Sequence, residues 1–243
     1  MSIHLKNLKK GQLGELTIIV GDPGRVRLIE KHLTDTTLIV DSREFILING
    51  YYNDKLVSVC STGIGIGSTE IVVTELIEND AKQIVRAGGC GAWKEGIHPG
   101  DIIVNYGMAR TKGMLSTYVP ETYPAVADPL LVNKIYEEQT KQGKDVHLGL
   151  GLTSETYYFG QGRNSSINTD IKSPNVIEEW TNYGVLNCEM ETAVLFILGS
   201  VYNVPVANCL AVHVSRTNEK WTSDEEYEKL HLEMSKGILD ALV

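Results

Sequence analysis

Short runs of β-branched and other apolar residues alternate along the chain with longer segments whose apolar positions recur every three or four residues. The short runs predict strands over 16–20, 37–48, 56–61, 83–87, 101–104, 147–152 and 206–214. Helices are marked by both period and caps. Residues 69–79 follow a glycine-rich turn and set Val72, Val73, Leu76 and Ile77 on one face. Residues 129–142 have Asp128 as N-cap, Pro129 at the first helical position and Gly143 just past the end. Residues 191–202 are apolar almost all round, which predicts a buried helix. Residues 224–242 open with the capping box Ser223 and Glu226, then carry Tyr227, Leu230, Met234, Ile238 and Leu242 as a stripe expected to pack on the sheet. Strands alternating with helices, without a linker or repeat, predict one α/β domain over 1–243. Two segments have no period: 106–127, and the polar, glycine-containing 158–174, a surface loop or flap. Irregular segments of this length are often functional.

Composition adds limits. With 42% hydrophobic residues among 243, the chain can bury a sizeable core. No run of about 18 apolar residues is present, so no membrane span is expected. Residues 1–10 lack a signal-peptide core, which points to the cytoplasm. The net charge of −9 argues against a nucleic-acid partner. It leaves room for a small anion where a few arginines converge. Cys60, Cys90, Cys188 and Cys209 are widely spaced and form no C-x-x-C pair, so reduced, buried thiols are expected rather than disulfides or a zinc site.

Four local motifs suggest chemistry. Gly21, Asp22, Pro23, Gly24 and Arg25 end an apolar strand, where backbone N–H groups beside an arginine suit an oxyanion; a plain strand-to-helix turn with a surface arginine is the alternative. The run 61–68, with Gly63, Gly65 and Gly67, opens a helix and suits either an anion or close helix–strand packing. Its third glycine comes one residue early for a dinucleotide fingerprint, which weakens an oxidoreductase reading. Arg86 ends an apolar strand, where burial is costly without an anionic partner, and Gly88, Gly89 and Gly91 follow it. Glu189, Met190 and Glu191 enter the buried helix. Here one carboxylate either accepts from a vicinal diol or is an ordinary acidic helix start. His213 sits in an apolar strand, as a satisfied core histidine would, and His32, His98, His147 and His231 have no motif around them.

Taken in order, Gly-Asp-Pro-x-Arg, Ser42-Arg43-Glu44, Ser-Thr-Gly-Ile-Gly, Arg-x-Gly-x-x-Gly and Glu-Met-Glu resemble the nucleoside phosphorylase-I family. The resemblance runs from His4 to about Thr217. It implies a three-layer α/β/α sandwich around a mixed, partly barrel-like sheet, and hexamers built as trimers of dimers with shared sites. It assigns phosphate to Gly21, Arg25, Arg86 and a neighbouring subunit's Arg43. Gly89 departs from the pattern, since relatives carry a Thr or Ser hydroxyl there. Ribose falls to Met190 and Glu191, with Glu189 in the same motif and His4 reaching across a subunit boundary. Purine-specific relatives place an aspartate where this chain has Val212 in the stretch 212–217. Uridine phosphorylases carry a Gly-Gln-x-Arg insertion, present as Gly160, Gln161, Gly162 and Arg163. The base then falls to Tyr157, Gln161 and Arg163, supported by Arg216. The reaction implied is phosphorolysis of uridine, with a purine or broad-specificity phosphorylase as the alternative. A water-using nucleosidase would leave the three phosphate arginines unexplained, while the Gly89 departure keeps a non-catalytic nucleoside sensor as an alternative. No cofactor is expected beyond phosphate as co-substrate. A monovalent cation near Glu44 and Ser68 is a further implication.

Overall fold

The computed structural model describes residues 2–167, 170 and 172–243. Among the described residues eleven strands form one sheet. They are β1 (Leu16–Val20), β2 (Thr34–Ser42), β3 (Phe45–Tyr52), β4 (Lys55–Ser61), β5 (Ile84–Ala92), β6 (Ile102–Arg110), β7 (Ala125–Val126), β8 (Val146–Thr153), β9 (Val185–Glu189), β10 (Val206–Ser215) and β11 (Lys220–Trp221). The helices are α1 (Pro23–Glu30), α2 (Ile66–Glu78), α3 (Pro129–Lys141), α4 (Val176–Asn182), α5 (Thr192–Tyr202) and α6 (Asp224–Leu242). Strand order is β11-β10-β6-β8-β9-β5-β1-β4-β3-β2, and β10 pairs β5 as well. That extra pairing closes β5, β10, β6, β8 and β9 into a mixed five-stranded barrel, with the remaining strands as an open extension. The mixed α/β architecture with a partly barrel-like sheet is the one the resemblance implied.

Local chemistry explains the elements. Asp128 Oδ1 accepts from the Leu130 and Leu131 N–H groups at 2.9 and 3.1 Å, capping α3. Ser223 and Glu226 form the reciprocal capping box of α6. Helix α5 is buried from Thr192 to Gly199, as its all-round apolar sequence requires. Inside the barrel three fully buried asparagines satisfy one another. Asn105 Nδ2 donates to Asn187 Oδ1 at 2.8 Å, and Asn208 Nδ2 donates to Asn105 Oδ1 at 2.9 Å. All four cysteines are free and buried.

The structure corrects several element boundaries. The single strand expected over 37–48 is the hairpin β2–β3, reversed at Arg43, which adopts φ 58°. The charged pair Arg43 and Glu44 interrupts the apolar run at that turn. Helix α1 and strand β9 were not legible, being too short to display a period. Strand β5 continues through its glycines to Ala92 because β10 pairs with it along its length. Segment 106–127 is not a free loop: β6 runs to Arg110, β7 pairs back onto it, and Met114, Val119 and Ala125 join the core beside α2 and α5. Within 158–174, Gln161 ends a short 3₁₀ turn (Phe159–Gln161), and Asn168, Thr169 and Ile171 lie outside the described residues. No helix among the described residues is long and apolar enough to cross a membrane.

Candidate active site

Strands β1, β5 and β10 run parallel, so their carboxyl ends share one edge of the sheet, the usual place for a site in such folds. A cleft of about 250 Å³ opens there. It gathers Gly21, Arg25, Arg86, Tyr157, Gln161, Arg163, Glu189, Met190 and Glu191, residues drawn from four separate stretches of the sequence.

One end is cationic. Arg25 lies in the first turn of α1, whose N-cap Asp22 accepts from Gly24 N–H at 2.8 Å. Arg86 is buried, 3% exposed, and is held on two sides. Its Nε donates to Glu189 Oε2 at 3.1 Å and its Nη2 to Glu191 Oε2 at 2.5 Å. Burial opposes its charge, but Glu191 and Glu189 outweigh that and raise its pKa, so it stays a cation. Its third nitrogen, Nη1, is buried without a partner among the described residues. A buried donor left unpaired is costly, and an oxyanion in the cleft would satisfy it.

The two carboxylates divide the alternatives offered by their motif. Glu189 is the helix start: its Oε2 accepts from the N–H groups of Glu191 and Thr192 at 2.9 and 2.8 Å, while Oε1 accepts from Thr153 Oγ1 at 2.5 Å. Glu191 is thereby released from capping and lines the cleft. Its Oε1 accepts from Gly65 N–H at 2.6 Å, so the helix N-terminus at the glycine-rich turn is occupied by a carboxylate of the protein itself. Gly65 can present that N–H because it adopts φ 91°, a conformation closed to most residues. Burial raises the Glu191 pKa against the pull of Arg86. A carboxylate offers about four lone-pair sites, so two remain for hydroxyl donors.

The opposite end is aromatic and amide-lined. Arg163 lies over the Tyr157 ring at 4.6 Å and the Trp221 ring at 5.4 Å. Burial, then Arg216, lowers its pKa, and its Nε is buried without a partner among the described residues. Gln161, only 5% exposed, lines this end of the cleft. Arg216 does not line the cleft. It braces this wall from behind, donating to the Gln161 carbonyl at 2.9 Å and pairing with Glu219 at 2.6 Å.

His4 and Arg43 stand apart from the chain's own cleft. His4 Nδ1 meets Glu75 Oε1 at 3.0 Å and its ring contacts Phe45, two residues from the Arg43 turn. Glu44 Oε1 accepts from Ser68 Oγ at 3.1 Å, bringing that pair together outside the cleft as well.

Sequence reasoning missed three cleft residues: His213, Trp221 and Tyr227. A register shift in β10 between Val212 and Val214 puts Val212 in the core and His213 on the cleft. The residue presented at that place is therefore His213 rather than Val212. Burial, then Arg25, lowers the His213 pKa, so its ring is neutral near pH 7. Tyr227 packs against the core with the rest of the α6 stripe and also reaches the cleft, where it stacks on His213, rings 3.9 Å apart.

The sequence profile described as "Phosphorylase superfamily" matches residues 15–243. A uridine phosphorylase of Haemophilus influenzae is 33% identical over 221 residues, covering 89% of this chain and 87% of the relative. A DeoD-type purine nucleoside phosphorylase of Bacillus velezensis is 33% identical over 236 residues, covering 95% of each. The crystal structure of uridine phosphorylase from Vibrio fischeri superposes with a TM-score of 0.83 at 26% identity, covering 97% of this chain and 94% of that one. The motif order, the barrel-edged cleft and these matches have one conclusion: the chain belongs to the phosphorylase superfamily.

Proposed function

We propose that this protein is a uridine phosphorylase, cleaving uridine reversibly with inorganic phosphate to uracil and ribose 1-phosphate. The observation that carries this is the cleft's polarity. Arg86 Nη1, unpartnered among the described residues, lies beside Arg25 at one end, Glu191 marks the middle, and Gln161 with the unpartnered Arg163 Nε marks the other. Phosphate, ribose and base fit that order. Uracil presents both donors and acceptors on its edge, which the Gln161 amide and the Arg163 guanidinium complement. Phosphate attacks C1′ as the bond to uracil N1 breaks. Negative charge grows on the departing base, where Arg163 and Gln161 stabilise it. Glu191 and Met190 fix the sugar for in-line attack, and Glu189 locks Arg86 in place.

Arg43 and His4 belong to this reading as residues lent to a neighbour's cleft. Both lie on one patch away from their own, so the functional unit is a dimer with shared sites, assembled further into a hexamer. The working compartment is the cytoplasm. Phosphate is co-substrate, no organic cofactor is used, and the Glu44–Ser68 pair is the place for a monovalent cation.

His213 favours a second reading, broader specificity that includes purines. A neutral imidazole at the cleft can donate to a ring nitrogen where Val212 would have offered nothing. The experiment is release of free base from uridine, thymidine, inosine and adenosine, with and without phosphate. The first reading expects phosphate-dependent uracil release in large excess over hypoxanthine or adenine. Purine release at a comparable rate would overturn it in favour of the second, and phosphate-independent release would sink both.

A further inference from the structure

Gly89 faces the proposed phosphate end with no side chain to offer it. The space is filled from elsewhere. A Cβ on Gly89 would overlap the Tyr227 hydroxyl, lie 3.0 Å from Tyr227 Cζ and approach His231 Nε2 to 3.7 Å. The phenol therefore occupies the volume of a residue-89 side chain, and only glycine admits it. We propose that Tyr227, reaching in from α6, supplies the hydroxyl donor of the oxyanion subsite that position 89 lacks. The proposal rests on the phosphorolytic reading of the cleft.

Three features fit the phenol for this task. It is held on every side. Its ring stacks on His213 at 3.9 Å and 12°, meets His231 edge-on at 4.4 Å, and has the Arg25 guanidinium over it at 5.3 Å. Its oxygen accepts from Arg25 Nη2 at 3.2 Å. A guanidinium only donates, so the phenolic hydrogen is left over, and no group among the described residues accepts it. Burial raises the Tyr227 pKa, with Arg25 and Arg86 acting against it, so the group keeps its proton at neutral pH. The same two arginines that would hold phosphate thus flank a hydroxyl whose proton is free to donate to it. His231 behind it is kept neutral by burial first and by Arg25 and Arg86 next, and its Nε2 makes no hydrogen bond among the described residues. It adds no competing charge.

The test varies phosphate at saturating nucleoside for the wild type, Tyr227→Phe, Tyr227→Leu, Gly89→Thr and the double variant Gly89→Thr/Tyr227→Leu. The thermal upshift produced by inorganic phosphate alone is measured in parallel. Tyr227→Phe keeps the ring stack and loses only the donor, so it is expected to raise the phosphate KM about tenfold. Its nucleoside KM should hold and its phosphate-induced upshift should shrink. Gly89→Thr alone should lose phosphate affinity because the new side chain meets the phenol. The double variant should bind phosphate better than Tyr227→Leu, since threonine returns a hydroxyl to the vacated space. A Tyr227→Phe enzyme with the wild-type phosphate KM and upshift overturns the proposal. The phosphorolytic reading fails separately: wild-type enzyme would then release base at the same rate without phosphate.

Discussion

At the scale of single residues, the cleft separates groups that serve the fold from groups left over for a ligand. Glu189 has all its acceptor capacity turned to Arg86, Thr153 and the start of α5. Arg163 shows the opposite pattern, with aromatic faces on two sides and a buried Nε that nothing among the described residues satisfies. A donor aimed where charge develops contributes mainly in the transition state. Arg163→Ala is therefore expected to lower kcat for uridine about a hundredfold or more, with a smaller effect on phosphate KM. Steady-state kinetics with each substrate varied separately will check this, and an unchanged kcat would remove Arg163 from the base subsite. The Gln161–Arg163 motif was legible from the sequence because its spacing is a local property. Tyr227 was not, since its place in the α6 stripe looks like any core position until Gly89 is seen opposite it.

At the scale of elements, the N-terminal segment is fastened by one carboxylate. Glu75 on α2 accepts from the backbone N–H groups of Ile3, His4 and Leu5 and from the His4 ring. Burial would raise its pKa, but those donors outweigh burial and lower it below 4.5. A carboxylate with a lowered folded-state pKa stabilises the fold fully above its unfolded value, and that contribution fades as pH falls through the folded value. The anchor is thus intact at neutral pH. Glu75→Gln should free residues 2–8, seen as faster amide exchange there, with about 1–3 kcal/mol lost in urea unfolding. Protection equal to wild type would show that packing of Leu5 and Leu8 alone holds the segment. Because His4 is placed by this anchor, the variant also tests whether the N-terminus serves a neighbouring cleft. Capped helices such as α3 and α6 were legible residue by residue. Strand β9 and helix α1 were fixed by what they pair with and pack on rather than by their own short patterns.

At the scale of the whole molecule, two consequences are measurable. If Arg43 serves a neighbour's cleft while Arg86 serves its own, co-assembled Arg43→Ala and Arg86→Ala subunits form heterodimers with one intact and one doubly defective site. Random mixing of two inactive parents should then restore about a quarter of wild-type activity. Activity that stays at the parents' level would place Arg43 outside any site. The second consequence concerns pH. His213 and His231 both have pKa values lowered from 6.5 by burial, the second well below it. Below 6.5 the unfolded chain takes up protons that the native state refuses, so stability declines as pH drops through that point. Melting curves from about pH 8 to about pH 5 should show the decline, and His231→Leu should flatten it. A wild-type Tm that holds level across that interval would mean the histidines titrate alike in both states.

The sequence by itself determined the α/β class, the strong helix caps, the reduced cysteines and the order of five motifs. Each of these is written within a few neighbouring residues, as spacing, cap chemistry or composition. Tertiary structure alone decided the closure of the barrel, because the pairing of β10 with β5 joins residues more than a hundred positions apart. It likewise decided that Glu189 caps α5 while Glu191 keeps acceptor sites for the cleft, that a shift in β10 exposes His213 in place of Val212, and that a phenol from α6 fills the space beside Gly89. The physical reason is the same in each case. Which acceptor is saturated, which side of a strand looks outward and which volume is already taken are set by partners distant in the chain, and no local pattern encodes a distant neighbour.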